Sequence, residues 1–134
     1  MARIAEISGV GAVYAEKLGA VNIKTTEDLL AAAATPDARK ALAGAIGISP
    51  NTLLEWANRA DLHRVKGIGE QYSDLLEAAG VDTVPELAQR RPDNLVKKLI
   101  EVNEAKQLVR KLPTESQVTD WVDQAKALPR VLHY

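Results

Sequence analysis

The chain has 134 residues, with 17 Lys and Arg against 18 Asp and Glu, so its formal net charge is −1 with neutral His. This balance excludes the strongly basic class of nucleic-acid binder and any general attraction to an anionic membrane surface. The absence of Cys excludes disulfides, thiol catalysis and Cys-ligated metal sites. No run of residues approaches the ~20 apolar residues of a membrane span. We therefore expect a cytoplasmic protein without a membrane partner.

The composition favours helices. Apolar residues make up 46% of the chain, and they include 21 Ala but no Phe. Ala is the best helix former and is disfavoured in strands. A core of Ala, Leu, Val and Ile with few aromatic rings predicts an all-α fold of short, closely packed helices. The five aromatic residues are Tyr14, Trp56, Tyr72, Trp121 and Tyr134.

The sequence repeats itself, which a search for internal similarity detects before any element is assigned. Residues 7–18 read ISGVGAVYAEKL, and residues 65–76 read VKGIGEQYSDLL, at an offset of 58 that continues without a gap to Leu29 and Leu87. After gaps, Pro36-Asp37 matches Pro92-Asp93 and the segment ending at Trp56 matches the segment ending at Trp121.

These matches predict two repeats of about 60 residues, one over 1–60 and one over 61–128, followed by a C-terminal tail over 129–134. A single repeat of that length would be only marginally stable, so we predict that both pack into one compact pseudo-twofold domain. The tail ends in Leu-His-Tyr and is apolar for a free end. We expect it to dock on its own chain rather than on a partner.

Residues that typically start and stop helices place the elements. Thr25 and Thr83 are predicted N-caps, and Asn22 and Gly80 are predicted stops because both residue types adopt the left-handed conformation. Asp28 occupies the capping-box position after Thr25. The predicted helices, ten in all, cover about 2–7, 12–20, 25–34, 36–46, 50–60, 70–79, 83–90, 92–102, 104–111 and 114–127.

Each repeat begins with the pattern apolar-x-Gly-apolar-Gly between two predicted helices. Gly9 permits a tight turn, Val10 anchors the turn in the core, and Gly11 begins the next helix. The first N–H groups of that helix have no partner inside it and lie at its positive end, so they form an anion site suited to phosphate. The second hairpin repeats these roles with Gly67, Ile68 and Gly69, and we expect both turns to have the same backbone conformation.

This pattern is the helix-hairpin-helix signature. Through GVGAVYAEKL, KGIGEQYSDLL and the intervening EWANRADL, nearly the whole chain resembles a bacterial family of domains of unknown function with tandem helix-hairpin-helix motifs. The wider superfamily contains repair enzymes, polymerases and ligases whose hairpins hold the DNA backbone without reading bases. The resemblance implies that role for Gly9, Val10, Gly11, Gly67, Ile68 and Gly69, and in some members it implies a monovalent cation at hairpin carbonyls. It implies no other cofactor.

The chain departs from DNA-binding hairpins directly after the second glycine of each pattern. Pro followed by Lys or Arg is usual there, whereas this chain has Ala12-Val13 and Glu70-Gln71. Glu70 repels phosphate, although an acid in the first turn also stabilises a helix. The candidate nucleic-acid site is completed by Ala12 and the nearest basic residues, Lys17, Arg64 and Lys66.

Two interpretations of the function remain. The first is a small non-enzymatic module that binds DNA weakly and without sequence preference through both hairpins. The alternative is a protein–protein adaptor that keeps the scaffold and has lost the phosphate chemistry. A positive stripe joining the hairpins would favour the first.

Other candidate sites have simpler explanations. Residues 61–134 contain 11 basic and 12 acidic groups, so we interpret the basic pairs there as part of a mixed, solvated surface. The two Trp residues stand at matching positions, which indicates core packing rather than base stacking. His63 and His133 are far apart in the sequence, so we expect no metal site. We recognise no catalytic constellation and expect no enzyme. The basic pairs are Arg90-Arg91, Lys97-Lys98 and Arg110-Lys111, with Lys106 nearby.

Overall fold

A computed structural model describes residues 3–134, and in that range the chain is helical, with an isolated bridge between Arg3 and Thr25 but no β-strand. The all-α class is therefore confirmed. A short 3-10 turn, Ile4–Glu6, precedes eight α-helices in the described range. They are α1 (Gly11–Ala20), α2 (Thr26–Ala32), α3 (Pro36–Ile46), α4 (Pro50–Leu62), α5 (Glu70–Ala78), α6 (Val84–Gln89), α7 (Pro92–Lys106) and α8 (Glu115–Ala127).

The predicted start and stop residues are confirmed at both equivalent places. The Thr25 hydroxyl accepts the N–H of Asp28 at 3.1 Å, and the Thr83 hydroxyl accepts the N–H of Glu86 at the same distance. Asn22 has φ 65° and Gly80 has φ 92°, so each takes the left-handed conformation that ends α1 and α5.

The prediction of separate helices over 92–102 and 104–111 is wrong. One helix, α7, continues to Lys106 and ends at Gln107, which has φ 51°. No Pro or Gly interrupts this stretch, so nothing in the sequence breaks the helix at residue 103. Asn103 instead binds the chain that leaves the helix. The predicted helix over 2–7 is the 3-10 turn, and its residue 2 lies outside the described residues.

The chain forms two compact units. The first unit ends at Asp61 and also contains Pro129–Tyr134, and the second unit is Leu62–Leu128. Each has its own apolar core. The predicted packing of two repeats as one pseudo-twofold domain stays a prediction. Matching core residues at the offset of 58 are Ile7 and Val65, Leu18 and Leu76, and Leu29 and Leu87.

The last residues of the chain belong to the first unit. Leu132 is 1% exposed, and the N–H of His133 donates to the carbonyl of Ala34 at 2.8 Å. The buried Arg39 guanidinium donates to the carbonyl of His133 at 2.7 Å, and Tyr134 Oη donates to Asn58 Oδ1 at 2.8 Å. The tail therefore docks on its own chain, as its apolar sequence predicts.

Between residues 3 and 134, every helix is too short or too polar to span a bilayer.

Candidate nucleic-acid interface

A tyrosine and a tryptophan pack together beside each hairpin. The ring centroids of Tyr14 and Trp56 are 5.4 Å apart with an interplanar angle of 57°, and those of Tyr72 and Trp121 are 5.2 Å apart at 53°. Both indoles are almost fully buried, each in the core of its own unit. The core interpretation of the two Trp residues is confirmed, so their rings are not available to stack on bases.

The first glycine of each hairpin lies against an indole. Gly9 has φ 91° and Gly67 has φ 100°. A Cβ atom on Gly9 would lie 3.4 Å from Trp56 Nε1, and one on Gly67 would lie 2.8 Å from Trp121 Nε1. Turn geometry therefore favours glycine at both positions, and close packing against Trp121 also requires it at Gly67, whereas the distance at Gly9 is an ordinary van der Waals contact. The next residues, Val10 and Ile68, are buried as predicted, at 2% and 4% exposure.

The second glycines differ in conformation, so the expectation of identical turns is wrong at this position. Gly11 has φ 67° and is the first residue of α1, following Val10 in a helical conformation. Gly69 has φ −105° and ψ −163° and is the extended N-cap of α5. Before this point the turns agree, because Val10 N donates to the carbonyl of Ile7 as Ile68 N does to that of Val65, both at 3.2 Å.

A side-chain clamp distinguishes the second hairpin. Gln124 Oε1 accepts the N–H of Lys66 at 2.8 Å, and Gln124 Nε2 donates to the carbonyl of Lys66 at 3.0 Å. Asp120 Oδ2 also accepts from Gln124 Nε2, at 2.8 Å. The matching residue in the first repeat is Arg59, which has no acceptor atom and cannot bind a peptide N–H in this way. This difference accompanies the different turn conformations.

Gly69 is exposed, and neither its backbone conformation nor its surroundings require a glycine. Its φ is negative, and a Cβ atom there would meet nothing within 4 Å. The N–H of Ser73 donates to the carbonyl of Gly69 at 2.9 Å and closes the first turn of α5. The N–H groups ahead of it in that turn have no intrahelical acceptor. The second hairpin thus exposes the first N–H groups of α5 next to Gly69, which has no side chain to block an approaching ligand.

The predicted basic residues surround the hairpins unevenly. Lys66 is exposed and directly precedes Gly67, and Arg64 is half-buried. Lys17 Nζ lies 5.1 Å from the centre of the Tyr14 ring, on α1. Ala12 is exposed but apolar, and the following residue, Val13, is 65% exposed. The second hairpin therefore has cations directly before its glycines, whereas the first hairpin has a mostly apolar surface.

Several carbonyls of the second hairpin, where the resemblance implies a monovalent cation, each accept a hydrogen bond. The carbonyl of Val65 accepts from Ile68, that of Lys66 accepts from Gln124, and that of Gly69 accepts from Ser73. In the first hairpin, the carbonyl of Ile7 accepts from Val10. Because each carbonyl oxygen has a second lone pair, these hydrogen bonds do not decide the cation, which stays a prediction from the resemblance.

Sequence reasoning missed the side chains that hold the second hairpin and its neighbours. Besides Gln124, these are Tyr72, whose Oη donates to the carbonyl of Lys111 at 2.9 Å, and Asn103, whose amide bonds both backbone groups of Val109. One sequence feature could have indicated these contacts: the segment from the start of α7 to Trp121 is longer than the matching segment of the first repeat. Across residues 3–134 no cluster of His, Asp and Glu forms a metal site.

Comparison with known families identifies a relative for most of the chain. A domain of unknown function, DUF4332, matches residues 8–128. The chain belongs to the DUF4332 family. No curated protein and no solved structure matches this DUF4332 chain.

Proposed function

We propose that this DUF4332 protein is a small non-enzymatic module that binds the DNA backbone without reading its sequence. In this proposal the two units are helix-hairpin-helix repeats, and phosphate oxygens accept hydrogen bonds from the free N–H groups that begin α1 and α5. The second hairpin, Lys66–Glu70, is the stronger of the two sites.

The observation that supports the proposal most is the place of Gly69, an exposed glycine directly before the free N–H groups of α5. Glycine raises the conformational entropy of the unfolded chain and thereby lowers the stability of the folded state. A glycine without a structural role is therefore unfavourable. At Gly67 the turn and Trp121 explain the residue, whereas at Gly69 nothing within the described chain does. A bare backbone at the start of a helix allows a phosphate to approach closely.

Affinity in this account is weak. Few phosphates are contacted, and Glu70 stands at the first position of α5, where it opposes an incoming anion. We expect dissociation constants in the non-specific range of roughly 10⁻⁴–10⁻⁶ M at physiological salt. Backbone amides contact phosphate and not base edges, so the affinity is expected to be the same for unrelated sequences.

Two glycine substitutions test the proposal. Gly69→Ala adds one methyl group at the hairpin, and Gly44→Ala adds one on the exposed face of α3, where a Cβ also meets nothing within 4 Å. Binding is measured by fluorescence anisotropy with a labelled 20-base-pair duplex at 50 mM salt. We expect Gly69→Ala to weaken binding at least threefold and Gly44→Ala to leave it unchanged. Equal affinities for both variants would contradict the proposal.

The adaptor function is the second candidate, and one surface of the first unit favours it. Val13 on α1 and Val21, the residue that follows α1, are 65% and 43% exposed. Val21 also lines a groove of about 450 Å³ between the end of α1 and the end of α3. If the wild-type chain fails to bind duplex or single-stranded DNA at 50 mM salt, the phosphate proposal fails and the adaptor function replaces it. The groove is lined by Lys17, Ala20, Val21, Gly44, Ala45, Ile46 and Gly47.

A further inference from the structure

We propose that Arg110 and Lys111 are phosphate-binding residues that supply the second hairpin with the cations missing from its own sequence. This inference rests on the proposed function and identifies the residues that contribute most to DNA binding. The polyanion is a nucleic-acid backbone, and the second unit is its main binding unit.

An extension found in the second repeat alone carries the two cations. The interval from Pro36 to Pro92 is 56 residues and that from Trp56 to Trp121 is 65, so the second repeat has gained nine residues between these points. The gain lengthens α7 and adds the segment Gln107–Thr114 before α8. The extension is hydrogen-bonded to Tyr72 of α5, two residues after the hairpin.

Three contacts hold the extension in a defined conformation. Asn103 Nδ2 donates to the carbonyl of Val109 at 3.1 Å, and Asn103 Oδ1 accepts the N–H of Val109 at 3.0 Å. Val109 itself is buried at 8% exposure. Two residues later, Tyr72 Oη donates to the carbonyl of Lys111 at 2.9 Å. The backbone around Arg110 is therefore fixed from both sides.

The Tyr72 contact ties these cations to the hairpin. Tyr72 lies in the first turn of α5, and its ring packs on Trp121, whose indole lies against Gly67. Lys111 is thus connected to Gly67 through the packed rings of Tyr72 and Trp121. The Lys111 backbone is therefore held by a side chain in the first turn of α5, the end that carries the free N–H groups.

Both side chains are available to an external anion. Arg110 and Lys111 are exposed, and neither forms an ion pair within residues 3–134. The acidic groups nearest to them along the chain are Glu104 and Glu115, and Glu70 begins α5. In this proposal the two positive charges of Arg110 and Lys111 outweigh the single Glu70 carboxylate and give the second hairpin a net attraction for phosphate that its Glu70-Gln71 sequence lacks.

Paired charge removals test the inference. Arg110→Gln/Lys111→Gln removes the two proposed contacts, and Lys97→Gln/Lys98→Gln removes the same charge from an exposed pair on α7 in the same unit. At 50 mM salt we expect the first variant to lose about tenfold in duplex affinity. The slope of log K against log salt should become shallower by about 1.8, which is 0.9 for each of two phosphates. The control should change affinity less than about twofold.

A third variant separates position from charge. Tyr72→Phe keeps both cations and the packed ring but removes the hydrogen bond to Lys111. We expect it to weaken binding about two- to threefold with an unchanged salt slope, because the same phosphates are met by a less ordered segment.

The outcomes separate this inference from the proposed function. If Gly69→Ala weakens binding but the two double variants behave alike, the hairpin binds phosphate and the inference about Arg110 and Lys111 is wrong. If only Arg110→Gln/Lys111→Gln weakens binding and Gly69→Ala does not, the cations bind a polyanion without the hairpin. If the wild-type chain does not bind DNA at all, both proposals fail together.

Discussion

The indole Nε1 of Trp121 lies 2.8 Å from the point where Gly67 would carry a Cβ atom. The α8 indole therefore packs against the hairpin backbone, and the same ring contacts Tyr72 at the start of α5. In the first unit Trp56 is 3.4 Å from the corresponding point on Gly9 and contacts Tyr14. Each hairpin thus packs on an aromatic pair, while its two glycines stay exposed to solvent.

Gly67→Ala should destabilise the protein much more than Gly69→Ala. The first change combines a φ of 100° with a contact far shorter than van der Waals distance. We expect it to lower the free energy of unfolding by about 2–4 kcal/mol, from left-handed strain and overpacking together. Gly69→Ala has neither cause and should stay within about 0.5 kcal/mol of wild type. Urea denaturation followed by circular dichroism measures both, and equal losses would show that the hairpin geometry described here is wrong.

The left-handed ends of α1 and α5 predict opposite effects for two glycine exchanges. Gly80→Ala places a Cβ at φ 92° and should cost about 1 kcal/mol. Asn22→Gly replaces a residue at φ 65° with one that adopts this conformation freely, so it should be neutral or slightly stabilising. A rise in melting temperature for Gly80→Ala would contradict the helix end assigned to α5.

The Asp28 carboxylate gives the first unit a defined acid sensitivity. Its pKa lies below the ordinary value because the carboxylate accepts the N–H of Lys24, at 3.1 Å, and then that of Thr25, at 3.2 Å. A group with a depressed folded pKa stabilises the fold above its unfolded pKa of about 3.9, and this stabilisation disappears as the pH falls through the folded pKa.

Asp28→Asn should therefore lower the melting temperature at pH 6 and leave it nearly unchanged at pH 2. The matched control is Asp37→Asn, which also removes an acid from the first turn of a helix. Within residues 3–134, Asp37 makes no side-chain hydrogen bond comparable to those of Asp28. Equal losses for the two variants at pH 6 would show that the capping box contributes nothing beyond the helix dipole.

The Asn103 amide should be worth more to stability than its half-buried position suggests. Asn103→Ala removes two hydrogen bonds to Val109 and leaves both backbone groups to find water, which should cost about 1–3 kcal/mol. Asn94→Ala, on the exposed side of α7, is the control and should change stability by less than about 0.5 kcal/mol. Hydrogen exchange at the Val109 N–H tests its hydrogen bond to Asn103 directly, because only Asn103→Ala should accelerate the exchange.

Much of the local structure follows from single residues in the sequence. Thr25 and Thr83 cap helices because their hydroxyls reach the third N–H, and Asn22 and Gly80 stop helices because they tolerate positive φ. The 58-residue offset also places Val10 and Ile68 in the cores of their units. These features depend on interactions between residues close together in the sequence, so the residue types alone predict them.

The features that escaped prediction are long-range side-chain bonds. Gln124 is 58 residues from the Lys66 peptide that it clamps, and Tyr72 is 39 residues from the Lys111 carbonyl. Nothing in the local pattern marks a glutamine or a tyrosine for such a role. The same reason explains the missed end of α7, because Asn103 stabilises the chain beyond residue 107 instead of breaking the helix.

Charge reversal at the start of α5 distinguishes phosphate binding at the second hairpin from a general electrostatic attraction. Glu70→Lys adds two units of charge beside the free N–H groups of the second hairpin, and Glu55→Lys makes the same change on the exposed face of α4, outside both hairpins. Duplex affinity is titrated for both variants at 50 and 150 mM salt, after circular dichroism has verified the helical content. We expect Glu70→Lys alone to bind the duplex more tightly, with a salt slope steeper by up to about one phosphate equivalent. Equal gains for Glu70→Lys and Glu55→Lys would show that the hairpins are not the contact surface.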